Sequence, residues 1–295
     1  MIPTSRHRVR LSHGREMAFA TAGDASRPAV LLLHGFPNSA RMFDAIMPEL
    51  SQVAYVVAPD LPGFGDSDVL PAPSFTAFGH AVSELLDRLA IGARYIYLHD
   101  FGAPVGFHIA MQAPEQVLGL IIQNANAHRT GFGPQWAATM AYWSDPSPEN
   151  EAAATAHLTL EGTRAQYIAD VPPDVAARIP AERWEDDWRV MRLPGRMHTQ
   201  RALVRDYAHH VARFDAIAGY LARWQPSSLM LWGRHDAFFD LAETLSWMRD
   251  LPRMEAHILD AGHLMLETHS ARAGSLIVDF IGRTRQKDAT DETRP

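Results

Sequence analysis

The sequence predicts an α/β protein: a mostly parallel sheet covered by helices on both faces, with an all-helical lid inserted between two of its strands. Three observations carry this prediction. Short apolar runs alternate with longer stretches of helical periodicity up to residue 126, and the alternation resumes after residue 213. The runs are apolar throughout rather than at every second residue, as in strands buried on both faces. Between residues 127 and 213 there is no convincing strand, and this stretch holds four of the seven tryptophans.

Taken in order, "AVLLLHG" (29–35) reads as a buried strand closed by glycine, and "RMFDAIMPEL" (41–50) carries apolar residues at helical spacing. "AYVVAPDLPGFG" (54–65) is a second strand running into a Pro/Gly turn. "SFTAFGHAVSELLDRLAI" (74–91) is an amphipathic helix with Ser74 as its N-cap. "RYIYLHD" (94–100) is a third strand, "GAPVGFHIAMQAP" (102–114) a helix stopped by Pro114, and "VLGLIIQNAN" (117–126) a fourth strand. The middle stretch offers helical pieces at 149–158 and 199–211, joined by Pro-rich segments. The alternation then returns as "SSLMLWG" (strand), "LAETLSWMRDL" (helix), "MEAHILD" (strand) and "SARAGSLIVDFIG" (helix). Residues 1–126 and 214–285 are expected to form one core, 127–213 a helical cap over the carboxyl ends of the strands, and 286–295 a polar, frayed tail.

Composition narrows the function. The chain has 295 residues, 47% of them hydrophobic, and a formal charge of −7, so a basic nucleic-acid footprint is not expected. No apolar run is long enough for a membrane span, and the basic N-terminus lacks the apolar segment of a signal peptide. Cysteine is absent, which excludes disulfides, zinc–thiolate sites and a cysteine nucleophile, and fits a reducing, cytoplasmic setting. No metal-binding motif is present.

Chemistry enters with four short patterns, each just after an expected strand: "HGFP" (34–37), "HDFG" (99–102), "WGRHD" (232–236) and "DAGH" (260–263). In this order they resemble the α/β-hydrolase superfamily over nearly the whole chain. There is no G-x-S-x-G, and Asp100 stands where that fold places a serine. A carboxylate is ionised at neutral pH, with a reference pKa of about 3.9. It can attack a saturated carbon and form an alkyl ester. The resemblance is therefore to the branch with an Asp nucleophile, the epoxide hydrolases and haloalkane dehalogenases.

That resemblance implies a set of roles. His263 would be the base that activates water against the ester. Asp236 would accept the other ring N–H of His263; the stretch after the preceding strand, "IIQNANAH", offers Asn124 and Asn126 but no carboxylate. The N–H groups of Phe36 and Phe101 would form the oxyanion hole, leaving their rings to shape the pocket. Opening an epoxide needs a proton donor. "LVRDYAHHV" resembles a lid-tyrosine segment of epoxide hydrolases and marks Tyr207, with Tyr142 and Tyr167 as candidates for a second donor. His34, Trp143, Phe238 and Met265 complete the candidate substrate-binding residues, His34 being better suited to support than to acting as a base.

Haloalkane dehalogenases resemble the chain in "YLHDFGAPVGF", but they usually carry Trp after the nucleophile and often Asn after His-Gly. Phe101 and Phe36 lack those donors; Asn38 or Trp143 could replace them. The expectation is an enzyme that hydrolyses a small apolar electrophile, an epoxide above all, without cofactor or metal. A dehalogenase, a lactone or ester hydrolase, and a non-catalytic binder of small ligands are the alternatives.

Overall fold

The computed structural model describes residues 4–291. An eight-stranded sheet runs in the order β1-β2-β4-β3-β5-β6-β7-β8. Its strands are β1 (Ser5–Arg10), β2 (Glu16–Ala22), β3 (Ala29–Leu33), β4 (Tyr55–Pro59), β5 (Arg94–His99), β6 (Val117–Gln123), β7 (Ser228–Gly233) and β8 (Glu255–Leu259). β2 pairs antiparallel with both β1 and β4, and the pairings from β4 through to β8 are parallel.

The helices are α1 (Met47–Leu50), α2 (Phe75–Arg88), α3 (Gly102–Gln112), α4 (Ala137–Ser144), α5 (Pro148–Ala154), α6 (Leu160–Ile168), α7 (Pro173–Ala176), α8 (Glu182–Met191), α9 (Arg196–Val211), α10 (Phe214–Trp224), α11 (Ala242–Asp250) and α12 (Leu266–Asp291). α4 to α9 lie between β6 and β7, in the stretch where no strand was expected.

Strand geometry explains the unbroken apolar runs. Successive side chains point to opposite faces. Leu31, Leu33, Ile96 and Leu98 join one core cluster with Phe78, Val82 and Leu85 of α2 and Phe107 of α3. Val30, Leu32, Tyr95 and Tyr97 join the other with Leu276, Ile277 and Phe280 of α12. Each strand thus feeds two cores. The cap of α2 is as expected: Ser74 Oγ accepts the Ala77 N–H at 3.1 Å.

Three local expectations change. β1 and β2 were not foreseen; β1 is an almost wholly exposed edge strand, so its residues Arg6, His7, Arg8 and Arg10 carry no apolar signal. The 41–50 segment is not one helix but a 3-10 turn (Ala40–Phe43) followed by the short α1, which has Pro48 in its first turn. α12 runs beyond residue 285 to Asp291, with a kink at His269; residues 292–295 of the expected tail lie outside the described residues. No helix of the described residues is long and apolar enough to cross a membrane.

Candidate active site

The parallel strands end on the same side of the sheet, and the turns after them hold the groups singled out in the sequence. Asp100 follows β5 and sits at φ +46°, a left-handed conformation that non-glycine residues rarely adopt. The sharp turn lifts its side chain above the sheet. Two glycines make room for it. A Cβ on Gly102 would lie 2.4 Å from the Leu33 carbonyl oxygen, so glycine lets α3 start against β3. A Cβ on Gly35 would lie 2.2 Å from Asp100 Oδ1.

The Phe36 N–H donates to Asp100 Oδ1 at 2.6 Å, and the Phe101 N–H lies near the same carboxylate and helps to lower its pKa. Asp100 Oδ2 faces His263 Nε2 at 3.8 Å. His263 lies between β8 and α12 and is 2% exposed. Its Nδ1–H donates to Asp236 Oδ2 at 2.8 Å, and its Nε2 is buried without a hydrogen bond. Asp236, after β7, has its acceptors filled: Oδ1 takes the N–H groups of Phe238 (2.7 Å) and Phe239 (3.1 Å), and Oδ2 also takes Asn124 Nδ2–H at 2.8 Å. Asn124 further receives the Gly233 N–H at 2.9 Å, tying β6 to β7 beneath Asp236. The sequence shows Asn124 only as a missing carboxylate; the structure makes it the clamp on the acid that replaces one.

Charges in this row depend on one another. Burial pushes the Asp100 carboxyl up, while His263 and the two N–H groups pull it back. Burial opposes charge on His263, but Asp236 and Asp100 together hold its pKa above 6.5. Turning Asp100 into a neutral ester would remove one of those two carboxylates. The proton affinity of His263 would then fall, and the ring would become able to take a proton from water.

Asp100 opens into a cavity of about 110 Å³ between sheet and cap. Phe36, Phe101, Trp136, Phe238 and Phe239 form its aromatic wall, and His157, Gln166, Thr139 and Gln135 its polar one, with Tyr207 of α9 between them. The Tyr207 ring packs against Phe101, Phe75, Trp136 and Trp143, and its hydroxyl is buried beside the Asn126 amide without closing a hydrogen bond to it. Burial, followed by the Asp100 charge, holds that hydroxyl firmly protonated.

The structure does not bring the other candidates to this cavity. Tyr142 fills an apolar joint with Ala154 and Val204, between α4, α5 and α9. Tyr167 is next to Gln166 but points into the cap–core joint, where its hydroxyl donates to Asp187 and accepts from Asn38 Nδ2 at 3.2 Å. That bond turns the Asn38 amide toward the same joint, and Asn38 does not line the cavity. Trp143 stacks on Tyr207, and its N–H is held by the Val204 carbonyl at 2.8 Å. Met265 is buried in the core cluster shared with α12. His34 lies under the site: its Nε2 accepts the Leu61 N–H at 2.9 Å, its Nδ1–H donates to Gly35 O at 3.0 Å, and burial lowers its pKa to about 4. It is a neutral brace. Phe238 does line the cavity; Trp136, Thr139, His157, Gln166 and Phe239 were missed, since none stands in a recognisable pattern.

A carboxylate at the turn after β5, an imidazole, a second carboxylate and a backbone N–H converge at the ends of these strands. The chain belongs to the alpha/beta hydrolase fold family, whose profile matches residues 28–270. It is 29% identical over 281 residues to an uncharacterized hydrolase of Saccharomyces cerevisiae, covering 93% of this chain and 96% of that protein. Shorter matches join it to a haloalkane dehalogenase of Bradyrhizobium diazoefficiens (35% identity over 36% of this chain and 35% of the other) and to an epoxide hydrolase of Siraitia grosvenorii (36% over 41% and 39%). Among solved structures, a haloalkane dehalogenase loop variant from Bradyrhizobium elkanii superposes with a TM-score of 0.77 at 22% identity, covering 98% of this chain and 100% of that one. An unliganded epoxide hydrolase gives 0.74 at 20% identity, covering 95% and 99%. The structural likeness speaks for the fold alone.

Proposed function

We propose that this hydrolase opens small epoxides to diols through an ester on Asp100. The observation that carries the reading is one cavity with an acid at the nucleophile turn and an unpaired tyrosine hydroxyl in its wall. Asp100 Oδ2 attacks a ring carbon, and the carbon–oxygen bond breaks. The alkoxide takes the Tyr207 proton. His263, oriented by Asp236, removes a proton from water, which adds to the ester carbonyl. The resulting oxyanion lies at Oδ1, on the N–H groups of Phe36 and Phe101. Collapse releases the diol, and the proton on His263 returns to Tyr207 through solvent. The net reaction adds water to the epoxide.

A departing halide needs donors in place of a proton. The indole N–H of Trp136 is held by the Phe238 carbonyl at 2.6 Å and that of Trp143 by Val204, and Phe36 and Phe101 have no side-chain donor. This favours the epoxide over the alkyl halide.

The test uses His263→Gln protein, in which the ester should persist. It is incubated separately with 1,2-epoxypentane and 1-bromobutane, then examined by intact mass and peptide mapping. An adduct of the whole epoxide mass on Asp100 is expected. An adduct from the bromoalkane alone would make the protein a dehalogenase. No adduct from either would return it to ester hydrolysis or ligand binding.

A further inference from the structure

Gln166 is 6% exposed, lines the cavity, and has no hydrogen-bond partner among the described residues. Its amide nitrogen and oxygen are not shut off from solvent, so the free carboxamide opens on the cavity, where water or a ligand completes it. Its place is well held: the next residue, Tyr167, anchors α6 through Asn38 and Asp187. Beside it His157 packs edge-on against Phe36, its ring neutral because burial lowers its pKa. Beyond Gln135 and Thr139, the polar part of the lining therefore holds these two neutral groups. Neither carries a charge that would select an ionic ligand.

We propose, resting on the epoxide reading above, that Gln166 is a subsite for a neutral hydrogen-bonding group on the substrate: an ether, hydroxyl or carbonyl oxygen close to the epoxide. The cavity of about 110 Å³ has room beside Asp100 for an epoxide ring and a few further heavy atoms. For comparison, an apolar cavity of about 150 Å³ accepts benzene. A carboxamide both donates and accepts, so it serves an ether, a carbonyl or an alcohol. The aromatic residues cover the remaining carbon surface. The preferred substrates are short epoxides with one oxygen substituent rather than long alkyl or polycyclic ones.

The test compares methyl glycidyl ether with 1,2-epoxypentane, which differ by an oxygen in place of a methylene. kcat/KM is measured for both in the wild type, Gln166→Leu and Gln166→Met. The wild-type ratio of ether to alkyl epoxide should fall about tenfold in each variant, the effect of one neutral hydrogen bond. Using the change in the ratio cancels the intrinsic reactivities of the two epoxides. Wild-type turnover with an unchanged ratio in both variants would overturn the subsite and leave the epoxide reading standing. Equal losses on both substrates would also overturn it, since they would mark Gln166 as packing. No wild-type turnover of either epoxide, with no adduct on Asp100, would overturn both.

Discussion

Asp100 and Tyr207 line one cavity and are held in different ways. Asp100 is placed by the backbone: a left-handed turn after β5, glycine at 35 and 102, and N–H groups from two neighbouring turns. Its partners His263 and Asp236 also sit on strand-end turns; Asp236 orients the His263 ring and is itself held by backbone and amide N–H groups. Tyr207 is placed by other side chains, chiefly the rings of Phe75, Phe101, Trp136 and Trp143. The floor of the pocket therefore keeps its chemistry when side chains around it change. The roof depends on how cap residues pack, so it is where substrate choice can vary.

The largest effect should come from the floor. Asp100→Asn should cut epoxide turnover by about 10⁴-fold or more, because no other group can form the ester. Turnover by freshly made, deamidation-checked variant above about 1% of wild type would remove Asp100 from the role of nucleophile.

The roof should separate into a tyrosine that acts on substrate and one that does not. Tyr207→Phe should lower the single-turnover rate of ester formation from an epoxide by about 10²-fold, the usual share of a general acid. Tyr167→Phe should change that rate less than about threefold while lowering Tm by a few degrees, since it breaks a buried bond to Asp187. Equal kinetic losses would show that both tyrosines serve only to hold the cap.

The smallest effect concerns pH. Burial, against the Tyr167 hydrogen bond and Arg41, raises the Asp187 pKa to about 7. A folded pKa above the unfolded value of 3.8 means that the folded state holds this proton more tightly. The contribution is full below the unfolded pKa and is lost as pH rises through about 7. Asp187→Asn should therefore gain on the wild type, in Tm, by a few degrees between pH 5 and 8. A difference between the two that stays flat across this range would mean that Asp187 is already ionised at the low end.

Legibility followed the same division. The acid at 100, the histidine at 263 and the acid at 236 stand next to glycine-marked strand ends, so their identity and shared position could be read from a linear pattern. The cap offered no such markers. Only the resemblance of "LVRDYAHHV" marked Tyr207, and nothing separated Tyr142 from Tyr167; in the structure Tyr142 fills an apolar joint, Tyr167 binds Asp187 and Tyr207 lines the cavity. β1 was missed for a related reason, being an edge strand with no buried face to leave an apolar trace.

By itself, the sequence determined the parallel sheet, the helical insertion and the residue types available at the strand ends. These rest on short-range rules: apolar runs for strands covered twice, and glycine where a backbone must turn or approach closely. Tertiary structure alone decided that Tyr142 and Tyr167 turn away from the cavity and that Gln166 and His157 share it with Asp100. Those residues come from separate helices and turns of the cap, and their directions depend on packing between elements distant in the chain, which no local pattern records.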